Sequence, residues 1–130
     1  MNKVNITNNF MKVKEILFEW GYKTNDIKNL LSLDDHQLKL LENSSGQLFH
    51  NMMLFQNKCS WILNIDKMLD ICLKNTSKKD YLCEKKNGIY DEAPITILNQ
   101  GNIHDLKWFY HNLCVKSTNL KDHIHKKLNS

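Results

Sequence analysis

Four cysteines and six histidines carry the strongest side-chain chemistry in this 130-residue chain. Cys59, Cys72, Cys83 and Cys114 form no C-x-x-C pair and fall among apolar residues. That is the setting of reduced, compact core side chains rather than of a zinc site or a redox dithiol. His123 and His125, beside Asp122, stand two apart on a stretch that reads as helix, so they project to different sides, whereas metal-ligand pairs use steps of three or four. His111 and Cys114 have a suitable step and His104 falls near the same face, but no second ligand pair completes a site. A nucleophilic cysteine needs a group that promotes its thiolate, and none is legible for Cys83. There is no G-x-S-x-G, no phosphate-cradling loop among only four glycines, and no carboxylate pair in an acid/base context. The expectation is a protein without catalytic residues, metal or cofactor.

Charge bears on the other large class of partners. All eighteen basic side chains are Lys, so the bidentate Arg fork that suits phosphate and guanine edges is missing. Residues 1–60 hold seven Lys against six acids, and residues 61–130 hold eleven against eight, which makes neither half the strongly basic surface of a dedicated nucleic-acid binder. No apolar run approaches the roughly 18 residues of a membrane span and no signal-peptide pattern is present, so a cytoplasmic protein is expected.

The elements that must position these residues read as helices throughout. Phe10, Val13, Ile16, Leu17 and Trp20 share one helical face, which Gly21 stops. Thr24 is expected to cap a short helix carrying Ile27, Leu30 and Leu31. Ser32 with Asp35 makes a capping-box pattern for a third helix carrying Leu38 and Leu41. After the break at 43–46, Leu48, Met52, Phe55, Cys59 and Ile62 form a wide apolar stripe. Ile65, Met68, Leu69 and Cys72 continue it in a following helix, beyond the polar pair Asn64 and Asp66. Ser77 and Asp80 cap another helix, expected to end at Asn87 and Gly88. Pro94 opens a helix through Leu98 that Gly101 terminates, and Asn102 with Asp105 caps a helix bearing Ile103, Leu106, Phe109, Tyr110 and Leu113. Trp108 and Tyr110 flank that stripe, so one large aromatic is expected to point away from the core. Leu120, Ile124 and Leu128 step by four through a Lys-rich tail.

Three stretches together carry a resemblance to a known family. The run 58–69, KCSWILNIDKML, is similar to a segment in which a basic residue precedes an apolar stretch and an I-x-x-x-L step. The run 81–90, YLCEKKNGIY, is similar to a W-x-x-x-P-N-x-x-F element. The run 93–106, APITILNQGNIHDL, resembles S/T-P-L-x-x-L-x-x-G-x-x-x-x-L. In this order they resemble the toxin-binding domain of bacterial Xre/MbcA/ParS antitoxins over roughly residues 48–116. Residues 10–44, with Trp20, the stretch 27–31 and Leu38, look more loosely like that family's N-terminal helix-turn-helix. Lys86 stands where the family has proline, and Tyr90, Asp91 and Glu92 replace a glycine-containing turn.

The resemblance implies an all-α chain with a helix-turn-helix-like module at 1–45, a toxin-binding-like helical domain at 46–116 and a Lys-rich tail at 117–130. It implies that the chain binds and occludes a RES-domain toxin that consumes NAD, and that it forms a homodimer. The expected partner surface comprises Asn87, Tyr90, Pro94, Leu98, Gly101, Asn102, Trp108 and His111, with Lys121, Lys126 and Lys127 in the tail. DNA contacts would come from His36, Gln37 and Lys39. Between Thr24 and Asn43, however, two Lys face four acids, a balance that repels phosphate, so DNA binding is expected to be weak or absent. The alternatives are a DNA-binding transcriptional regulator and an orphan protein-interaction module on the same scaffold.

Overall fold

The computed structural model describes residues 3–43, 52–73, 75–84 and 92–128, with side chains over 8–43, 52–73, 75–84 and 92–117. The fold is all-α. Seven helices follow one another among the described residues: α1 (Lys3–Glu19), α2 (Thr24–Leu31), α3 (Asp35–Glu42), α4 (Met52–Cys72), α5 (Lys78–Cys83), α6 (Pro94–Leu98) and α7 (Ile103–Leu128).

The stripe of α1 is buried as its spacing requires, with Phe10, Val13, Leu17 and Trp20 fully inside. Gly21 ends the helix at φ +100°, where the Tyr22 amide donates to Leu17 O at 2.9 Å and the Gly21 amide to Phe18 O at 3.0 Å. This is the 6→1 and 5→2 pairing of a Schellman end, and it satisfies carbonyls that would otherwise be orphaned. The next two starts differ from expectation by one or two residues. Lys23, not Thr24, is the cap of α2, and its amide donates to Asp26 Oδ2 at 3.1 Å. Asp34, not Ser32, caps α3: its Oδ1 accepts from the Gln37 amide at 2.7 Å while Gln37 Oε1 accepts from the Asp34 amide at 3.0 Å. Ionised Asp outcompetes a hydroxyl for first-turn amides. Ser32 instead ends α2 in the left-handed conformation at φ 58°.

Two helices run longer than the sequence pattern suggests. α4 passes through Asn64 and Asp66 without a break, because both lie outside its buried face of Phe55, Lys58, Cys59, Ile62, Ile65, Leu69 and Cys72. Likewise α7 includes the whole stretch to Leu128, since no Gly or Pro interrupts it. Other expected signals stand: Ser77 Oγ accepts from the Asp80 amide at 3.1 Å, Pro94 opens α6, and Asn102 Oδ1 accepts from the His104 amide at 2.9 Å. The expected end at Asn87 and Gly88 lies outside the described residues, and α5 ends at Cys83.

Packing runs across the boundary expected near residue 45. Side chains of α1, α2 and α3 share one buried cluster with those of α4, α5, α6 and α7. Phe10 meets Phe55 at 6.2 Å between ring centroids, and α4 and α7 pack along one another, with Ile62 and Leu69 of the one and Leu106, Phe109 and Leu113 of the other in the same buried cluster. Tyr22 donates its hydroxyl to Ile95 O at 3.1 Å, and Asn99 Nδ2 donates to Asp26 Oδ1 at 3.3 Å, so α6 is tied to the α1–α2 corner. Burial, with Asp26 nearby, pushes the Tyr22 phenol well above its ordinary value.

A close backbone approach lies at the C-terminal end of α2. Gly101 sits there at φ +76°, and a Cβ on it would meet Asn29 O at 2.6 Å and Leu30 O at 3.2 Å. At Gly21 a Cβ would meet only the flexible chain of Lys79, at 3.1 Å. Both positions penalise a side chain through φ, but only Gly101 adds a collision with backbone. Gly101→Ala is therefore expected to cost about 2–4 kcal/mol and Gly21→Ala about 1–2 kcal/mol. Urea denaturation of the two variants measures the difference, and equal costs would contradict the close approach.

Candidate functional site

The expected partner residues divide into structural and surface groups. Pro94 and Leu98 are buried in α6, and Leu98 belongs to the main core. Their burial matches the place they hold: an apolar side chain at the first or last turn of so short a helix is what attaches it to the domain. Gly101 is spent on the approach to α2. Asn102 is exposed, and its side chain caps α7. Trp108 is 45% exposed and His111 is exposed, so these two lie on the surface as expected. Lys121, Lys126 and Lys127 lie on the α7 backbone with side chains outside the described set, and Asn87 and Tyr90 lie outside the described residues.

On the N-terminal helices, His36 and Lys39 are exposed on α3, but Gln37 is buried and its amide is engaged in the capping box. Gln37 therefore does not present a base-reading edge. Lys28 pairs with Asp35, and Lys14 pairs with Glu42 at 3.1 Å, which takes two more cations from any phosphate surface. The Lys28 ammonium holds the Asp35 carboxyl below its ordinary value.

Lys58 is the residue that sequence reasoning missed. It is 1% exposed on the apolar face of α4, and its Nζ donates to Leu30 O at 3.0 Å and to Ser32 Oγ at 2.7 Å. Burial pulls its pKa below that of an ordinary lysine. Such a lysine has the chemistry of a Schiff-base former or general base. Here the ammonium is occupied in closing the end of α2, where cationic charge also meets the negative pole of the helix. The signal was present in the stripe: Lys58 is three residues after Phe55 and four before Ile62, both core positions.

A second missed residue is Trp61, half-buried on α4. Its ring lies 5.3 Å from Tyr110 in edge contact and 6.4 Å from His111, with Lys107 Nζ 6.0 Å from its centroid. Hydrogen bonding with Cys114 pushes the Tyr110 phenol above its ordinary value. Beside this cluster Trp108 and Val115 are exposed at 45% and 59%. The surface has the composition of a protein interface, aromatic and amphipathic with one cation stacked on it.

Lys78 gathers three carboxylates, with Asp70 at 2.7 Å, Asp66 at 2.9 Å and Glu19 at 3.8 Å, beside a cleft of about 240 Å³. Burial lowers the Lys78 pKa, but hydrogen bonds to Asp66 and Asp70 outweigh it and leave the value raised. Asp66 also accepts from Trp20 Nε1 at 3.0 Å, so the cluster fastens α5 and α1 to α4. The thiols divide by burial: Cys83 is exposed and Cys114 half-buried, whereas Cys59 and Cys72 are inside. Burial pushes Cys59 up to about 12, which leaves it protonated and unreactive at neutral pH. Among the described residues no group of three His, Cys, Asp or Glu gathers as a metal site, and no helix is long and apolar enough to cross a membrane.

Removal of the Lys58 ammonium leaves a buried carbonyl without its partner. Lys58→Met is expected to lower unfolding free energy by about 1–3 kcal/mol, with a smaller loss for Ser32→Ala. Chemical denaturation followed by circular dichroism reads both, and an unchanged midpoint for Lys58→Met would contradict the capping role.

Comparisons of the chain with models of known families, with curated proteins and with solved structures return no match, and the functional reading rests on the residues themselves.

Proposed function

We propose that this chain is a non-catalytic, cytoplasmic antitoxin-like protein that binds a RES-domain, NAD-consuming toxin and neutralises it by steric occlusion. The reading starts from the resemblance to Xre/MbcA/ParS antitoxins. One observation supports it most: separate stretches of the resembling pattern meet in space. Lys58, from the first stretch, donates to Leu30 O at 3.0 Å, and Gly101, from the last, approaches the same carbonyl so that a Cβ would lie 3.2 Å away. Residues far apart in sequence thus act on one atom, as expected when a spaced pattern encodes a scaffold. The scaffold holds an exposed aromatic surface on α7 in place, and occlusion needs only such a rigid surface. A homodimer accompanies this reading through the resemblance alone.

A DNA-binding regulator is the second reading, resting on exposed His36 and Lys39. It is the weaker, because Gln37 caps α3 and Lys28 and Lys14 are paired with carboxylates.

Co-expression with the protein encoded beside it tests the proposal. The expected result is co-purification as a stable complex and preserved cellular NAD, with growth restored. A neighbouring RES-domain protein that neither co-purifies nor loses its toxicity would sink the reading.

A further inference from the structure

We draw no further inference here: the strongest candidate, the Ser32–Lys58 side-chain pair at the C-terminal end of α2, belongs to the helix end already described, where the ammonium closes α2 and the Ser32 and Leu33 amides donate to Asn29 O and Lys28 O and so do not serve a nucleophilic Ser32 as oxyanion donors.

Discussion

The buried ammonium of Lys58 at the C-terminal end of α2 is the contact on which the two halves of the chain depend. A helix end inside a protein leaves carbonyls without partners, and each costs stability unless a donor is supplied. α2 ends on Ser32 in a left-handed conformation that a residue with a Cβ adopts at a cost. Lys58 reaches from α4 to Leu30 O and to the Ser32 hydroxyl, so one group both satisfies the helix end and holds the strained residue. Gly101 completes the junction because only a residue without a side chain fits over Asn29 O and Leu30 O. The α1–α3 segment, α4 and the α6–α7 turn therefore meet at one place. Charge burial opposes this arrangement, as the lowered pKa of Lys58 records, and the hydrogen bonds and helix pole offset it.

That junction separates what the pattern residues do from what the surface does. Lys58, Pro94, Leu98 and Gly101 position α6 and the start of α7, and the face left outward on α7 is a different set: Trp108, Val115, His111 and the flanking lysines. A residue in a recurring motif is as readily a scaffold element as a contact. The distinction is physical, because a close backbone approach tolerates no substitution, whereas an exposed helical face tolerates many and changes partner with few of them.

Much of the fold was legible because helical periodicity and stop signals act locally. The face of α1 from Phe10 to Trp20, the stop at Gly21, the Ser77 cap and the Pro94–Leu98 helix follow from spacing and capping chemistry alone. The misplaced caps at Thr24 and Ser32 arose where several candidates stand within three residues and tertiary contacts choose among them; Ser32 was claimed by Lys58 from 26 residues away. The polar pair Asn64 and Asp66 looked like a break, yet Asp66 is a side-chain acceptor for Trp20 and Lys78 on the flank of an unbroken helix. The surface was half legible. Trp108 is outside as the stripe beside it required, but the company of Trp61, Tyr110 and Lys107 depends on how α4 and α7 pack, which no single helix encodes.

If the α2 end joins the halves as described, the chain unfolds as one unit, and the face of α7 is rigid because everything behind it is. Native-state hydrogen exchange across a urea series measures this directly. The amides of Leu17 and Trp20 in the α1 region, Ile62 and Ile65 in α4, and Phe109 and Leu113 in α7 are expected to converge on one opening free energy as urea rises. Opening of α1–α3 as a separate unit, with α4 and α7 still protected, would contradict it.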